Sequence, residues 1–163
     1  MSGADSYYHS EAEKFFQEAY QKQTDGQLEE AIQLYKKSIE LFPTAEAHTF
    51  LGWAYSFKGL YEDAIRECHA AIKIDPEYGN PYNDIGAYLI DKNKLDEAIP
   101  WLEKAMNAKR YESYCYPYYN LGRVWERKGN WFMALEYYNK SLKENPDYHL
   151  AKRAVSRLQG MMN

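Results

Sequence analysis

Residues 48–76 read HTFLGWAYSFKGLYEDAIRECHAAIKIDP, and residues 118–146 read YYNLGRVWERKGNWFMALEYYNKSLKENP. In both stretches a glycine (Gly52, Gly122) stands twelve residues before an alanine (Ala64, Ala134), a second glycine (Gly59, Gly129) five before it, and a proline (Pro76, Pro146) twelve after it. The same punctuation continues on either side of residues 48–76. Ala31 and Ala98 complete a set of four alanines spaced 33, 34 and 36 residues apart, with Gly26 and Pro43 in the first segment and Gly86 in the third. Self-similarity at this period marks an array of helical repeats, in which each unit buries its apolar face only against its neighbours.

Capping and breaking signals divide each segment into two helices. Thr44 caps a helix over 45–57, Lys58-Gly59 turns the chain, and a partner helix over 61–74 stops at Asp75-Pro76. The third segment predicts helices over 81–91 and 95–108, with Asn93 taking the turn where the others have glycine, because asparagine tolerates the left-handed conformation. Pro100 falls early in that second helix, harmless near a helix start and disruptive further in. The fourth segment predicts helices over 116–128 and 131–144. At the beginning of the chain, Ser10 and Glu13 form a capping box, so the first helix is expected from Glu11 to about Gln23, behind a loosely packed lead-in over 1–10, and the next spans 28–41. A last helix over 148–159 carries an apolar stripe of Ala151, Ala154, Val155 and Leu158, while Lys152, Arg153, Ser156 and Arg157 are expected to face away, as befits a cap on an array.

These residues resemble the tetratricopeptide repeat family, whose pattern is Trp/Tyr-x-x-Leu-Gly-x-x-Tyr, then Ala, then Pro. Here it appears as His48-x-x-Leu51-Gly52-x-x-Tyr55…Ala64…Pro76, as Tyr82-x-x-Ile85-Gly86-x-x-Leu89…Ala98, and as Tyr118-x-x-Leu121-Gly122-x-x-Trp125…Ala134…Pro146. The first segment is weaker at its start, with Phe15 and Ala19. The resemblance implies an all-α, right-handed solenoid of antiparallel helix pairs, with repeats at about 11–44, 45–78, 79–114 and 115–146 and a capping helix over 147–163. Small residues (Ala19, Gly52, Gly86, Gly122) would sit where helices approach, and large ones such as Tyr35, Leu102 and Tyr138 would fill the gaps.

The resemblance further implies that the first helix of each pair lines a concave groove that takes an extended peptide or a partner helix. The expected lining is Phe16 and Tyr20 in the first repeat, Thr49, Phe50, Trp53 and Phe57 in the second, Asn83, Asp84 and Ala87 in the third, and Tyr116, Tyr119, Asn120, Arg123 and Arg127 in the fourth. Planar guanidiniums beside tyrosine suit carboxylates, so an acidic part of the partner is expected near Arg123 and Arg127. Both features also have a plainer reading. Trp53 and Phe57 would equally pack on a neighbouring repeat, and Glu126 is near enough to neutralise an arginine on the surface. The lysine–asparagine–arginine clamp with which some members of the family hold chaperone C-terminal tails has no counterpart at the matching positions, which argues against that ligand.

Composition narrows the remaining classes. The net charge of -4 divides into -5 over residues 1–50, -2 over 51–110 and +3 over 111–163, too mild a gradient for nucleic acid but suited to weak head-to-tail self-association, the alternative reading. Lys152, Arg153 and Arg157 more simply keep a terminal helix soluble. No apolar run approaches the roughly 18 residues of a membrane span, and no apolar signal core opens the chain. Cys68 and Cys115, far apart, read as buried thiols in a reducing, cytoplasmic setting. The four histidines are scattered without metal-ligand spacing, and no phosphate-cradling loop or nucleophile elbow is present, so neither a cofactor nor an enzymatic activity is expected.

Overall fold

The computed structural model describes residues 3–162, which form nine α-helices and no strand among the described residues. They divide into two compact units, one through Pro81 and one from Tyr82 onward. The N-terminal unit holds α1 (Gly3–Thr24), α2 (Leu28–Leu41), α3 (Ala45–Phe57) and α4 (Tyr61–Ile74). The C-terminal unit holds nearly all of α5 (Asn80–Asp91), then α6 (Leu95–Asn107), α7 (Cys115–Arg127), α8 (Trp131–Glu144) and α9 (His149–Met162).

Local chemistry explains most of these limits. Thr44 starts α3 by accepting a hydrogen bond from the Ala47 amide at 3.1 Å, and Asn130 starts α8 by accepting from Met133. The tight turns between paired helices place Gly26, Gly59 and Gly129 at φ of 80°, 73° and 77°, and Asn93 takes the equivalent place at φ 60°. Pro100 is the sixth residue of α6, so the Asp96 carbonyl lacks the amide that would normally meet it.

The start of the chain departs from expectation. Residues 3–10, read as a lead-in, are the opening turns of α1, and the Ser10–Glu13 signal starts no helix because the backbone is already helical there. Nothing from Ala4 to Ser10 breaks a helix, and the His9 ring lies edge-on to Phe42 with centroids 4.9 Å apart, which ties the extension to the end of α2. Met1 and Ser2, the beginning of the expected lead-in, lie outside the described residues.

Paired helices meet at the small residues. A methyl group added to Gly52 would come within 2.9 Å of the Ala64 carbonyl oxygen, at Gly86 within 2.4 Å of Leu102 and at Gly122 within 2.5 Å of the Tyr138 ring. Overpacking of this kind costs about 1–3 kcal/mol, so these positions set how closely the helices pack. The repeats also share a polar tie. Ser38 donates to the Ala12 carbonyl at 2.8 Å and Ser141 to the Cys115 carbonyl at 2.7 Å, each joining the second helix of a pair to the first. Cores then form inside each unit. Ala19, Ala31, Tyr35, Leu51 and Ala54 cluster in the N-terminal one, and Ala134, Tyr138, Ala154 and Leu158 in the C-terminal one, where the apolar stripe of α9 is buried.

Candidate functional site

The N-terminal unit presents rings. Phe16 and Tyr20 stand one turn apart on α1, and Phe50, Trp53 and Phe57 follow at three- and four-residue spacing on α3, so each helix shows its rings on one face. They touch in series: Phe16–Phe50 centroids are 5.2 Å apart, Tyr20–Phe50 5.7 Å, Phe50–Trp53 5.8 Å and Trp53–Phe57 5.3 Å. The first three contacts are edge-to-face, the arrangement that the ring quadrupole favours. Phe16 and Phe50 are half-buried against Tyr35 and anchor the ridge, whereas Tyr20, Trp53 and Phe57 are 42%, 36% and 59% exposed. Thr49 does not join them. It is buried, and its hydroxyl donates to the Ala45 carbonyl at 2.7 Å, because its place on α3 points into the stack.

The corresponding face of the C-terminal unit is polar and already paired. Asn120 on α7 donates to the Asn83 side chain on α5 at 3.0 Å and accepts from Arg123 Nη1 at 3.0 Å. Arg123 Nη2 in turn donates to Asp91 at 2.6 Å. Arg127 donates to the Ile90 carbonyl, with its other nitrogen 3.9 Å from Asp91. Asn83 and Asn120 are buried, so this ladder satisfies groups that would otherwise be stranded. The two arginines expected to meet an acidic partner thus also engage an aspartate and a backbone carbonyl on α5. Glu126, considered as their neutraliser, instead accepts both guanidinium nitrogens of Arg157 and the Tyr138 hydroxyl at 2.7 Å. The Arg157 guanidinium, foremost, holds the Glu126 carboxyl below its ordinary range.

Asp84 starts the ladder on α5. Its residue surface keeps some solvent contact, yet its carboxyl is enclosed, and burial pushes it up to about 7 against the opposing hydrogen bond from Asn83. Ala87, one turn on, is half-buried and brings no polar group. Of the tyrosines, Tyr116 is 43% exposed, while Tyr119 is half-buried between Tyr138 and Tyr148 at centroid distances of 5.4 Å and 5.2 Å. Tyr148, just before α9, went unrecognised in the sequence because it lies outside the repeated helices; burial drives its hydroxyl pKa upward. Lys152, Arg153, Ser156 and Arg157 on α9 are all exposed, as expected. Arg153 and Arg157 line an open concavity of about 560 Å³ with Tyr119 and Leu150.

The remaining polar groups serve structure. His48 Nδ1 lies 2.6 Å from Glu67 across the α3–α4 pair, and Cys68 and Cys115 are buried thiols. Among the described residues no group of three His, Cys, Asp or Glu side chains stands ready to hold a metal ion, and no helix is long and apolar enough to cross a membrane.

Comparison with known proteins agrees with this geometry. Family models described as tetratricopeptide repeat match residues 22–44, 45–78, 80–111 and 115–148. Small glutamine-rich tetratricopeptide repeat-containing protein 2 of Mycosarcoma maydis is 32% identical over 77 residues, 47% of this chain and 22% of that protein. Heat shock protein STI1 of Saccharomyces cerevisiae is 27% identical over 97 residues, 58% of this chain and 16% of that protein. The matched segments thus span less than a quarter of the length of either relative. Among solved structures, Pseudomonas aeruginosa pilF superposes with a TM-score of 0.84 at 24% identity, covering 94% of this chain and 70% of that one, a likeness of fold. MamA superposes with a TM-score of 0.69 at 26% identity, covering 88% and 84%. With these matched repeats and an all-α architecture of paired helices, the chain belongs to the tetratricopeptide repeat family, whose members generally mediate protein–protein interactions.

Proposed function

We propose that the chain is a protein-interaction scaffold that holds an extended segment of a partner protein across the aromatic ridge of α1 and α3. The observation that carries this reading is the exposure of Tyr20, Trp53 and Phe57 on a ridge whose inner rings are fixed. Anchored rings offer large contact area at little entropic cost, which is why aromatic residues dominate binding hot spots. The partner's contribution is apolar or aromatic side chains at the ridge, with no acidic segment required at Arg123 and Arg127. A reducing, cytoplasmic setting fits the two buried thiols. The test selects peptides from a displayed random library on the full chain and measures the best by calorimetry. Trp53→Ala with Phe57→Ala is expected to weaken binding by about 10- to 100-fold with the unfolding midpoint nearly unchanged. Equal affinity in the double variant removes the reading.

The charge gradient supports a second reading, weak head-to-tail self-association, from a balance of -5 over residues 1–50 against +3 over 111–163. A sedimentation series expected to show salt-sensitive growth in mass decides it; a constant monomer mass dismisses it.

A further inference from the structure

We propose that α9 and Tyr119 form a docking site for an acidic segment of a partner protein, with a carboxylate held between Arg153 and Arg157 and its apolar neighbour resting on Leu150 and the Tyr119 ring. The site lies wholly within the C-terminal unit.

Shape is the first observation. Tyr119, Leu150, Lys152, Arg153, Ser156 and Arg157 line one concavity of about 560 Å³. Leu150, Arg153 and Arg157 follow at three- and four-residue spacing on α9, so they share a face of that helix. Tyr119 is the wall from α7, held in place by Tyr138 and Tyr148 at centroid distances of 5.4 Å and 5.2 Å. Leu150 is 36% exposed and adds apolar surface. A helix face that only keeps the end of the chain wet needs no such wall.

The second observation is the polar lining, which consists of guanidiniums, an ammonium and a hydroxyl, with no carboxylate among them. Arg153 is exposed, and its guanidinium has neither an ion pair nor a hydrogen bond among the described residues. Lys152 meets only Asp147, at 3.3 Å, and that side chain is 97% exposed, so solvent screens the pair. Arg157 is fixed by Glu126, which accepts from both of its terminal nitrogens. One arginine is therefore anchored, and its neighbour one turn away is free.

A planar guanidinium fork matches a carboxylate, the protein group that accepts hydrogen bonds without bringing donors of its own. An acidic side chain beside an apolar one complements both parts of the lining. Nucleic acid is a poorer match, because the basic stripe is about one helical turn long and Glu126 and Asp147 pair with two of its members. All the lining residues but Tyr119 belong to α9, beyond the matched repeats, so the site is no version of the clamp for chaperone tails.

The experiment titrates the full, isotope-labelled chain at low ionic strength and pH 7 with a capped Gly-Glu-Leu-Glu-Gly peptide and its Gly-Gln-Leu-Gln-Gly counterpart, following the arginine side-chain signals. The acidic peptide is expected to give a saturable shift at millimolar concentration or below, and the neutral one to bind about tenfold or more weakly. Arg153→Ala is expected to weaken the acidic peptide by about tenfold and to leave the unfolding midpoint unchanged, since Arg153 holds nothing in the free chain. Trp53→Ala with Phe57→Ala is expected to leave this binding intact, so this site and the ridge are tested separately. Absence of a saturable shift, equal binding of the two peptides, or undiminished binding by Arg153→Ala would each overturn the proposal. So would tighter binding of single-stranded oligothymidylate, loss of binding in the ridge variant, or self-association that Arg153→Ala abolishes, which would give the concavity to a second copy.

Discussion

The faces of α3 and α7 are built on the same repeat positions and carry opposite chemistry. Counted back from the marker alanines Ala64 and Ala134, Phe50 corresponds to Asn120, Trp53 to Arg123 and Phe57 to Arg127. On α3 these positions form a ridge of rings whose outer members face solvent. On α7 they form a hydrogen-bonded ladder whose members bond to α5. The backbone thus supplies an address, and the side chain decides whether that address is open. A ring finds its partners in other rings and still has a face left over. A guanidinium on a crowded surface finds the nearest carboxylate and is used up.

That contrast can be broken at its strongest point first. Phe50 touches Phe16, Tyr20, Tyr35 and Trp53, so Phe50→Ala removes the keystone of the ridge. It is expected to cost about 3 kcal/mol in urea denaturation. A loss similar to that of an exposed-surface substitution would show that the rings stand independently.

Asp84 gives the next largest effect, and one that depends on pH. Its carboxyl is pushed up to about 7 in the folded chain, against about 3.9 in the unfolded one. Between those values the folded state binds the extra proton, so this residue makes stability fall as pH rises, with the full cost above about pH 7 and none below about pH 4. Asp84→Asn, which installs the residue found at the equivalent Asn120, is expected to stabilise the chain by roughly 2 kcal/mol at pH 8 and to leave it unchanged at pH 4. A gain independent of pH would remove burial of the charge as its cause.

The ladder's outer rung is the smallest effect. Arg123 and Asp91 side chains keep 23% and 32% of their exposure, so solvent screens the pair. Arg123→Ala is expected to cost about 1 kcal/mol, and a double-mutant cycle with Asp91→Ala to return a coupling of about 0.5 kcal/mol. A coupling near zero would mean that the ladder is held by its buried amides alone.

The repeat architecture was legible because period and packing are one constraint. A glycine that must clear Leu102 or Tyr138 recurs wherever the helices pair, and the left-handed turn that favours glycine was recognisable even where Asn93 stands in for it. The candidate site was legible only as a set of faces. Helical spacing put Trp53 and Arg123 on matching surfaces but said nothing of what each would meet 30-odd residues away. A clue was present, since Asp91 stands seven residues before Ala98 as Arg127 stands seven before Ala134, opposite charges at one repeat offset. Thr49 was misplaced by the same shortfall, because a hydroxyl at the margin of a face turns inward when a carbonyl one turn back accepts it. The first turns of α1 were missed because a capping box also occurs inside a helix, where the amides it would serve already have partners.

Tyr138 has two jobs separated by the width of its ring. Its carbon face fills the gap beside Gly122, and its oxygen donates to the same Glu126 that grips Arg157 of α9. The ring and the oxygen are separable, so losing that oxygen alone would loosen the seating of the terminal helix while the ring still fills the gap beside Gly122.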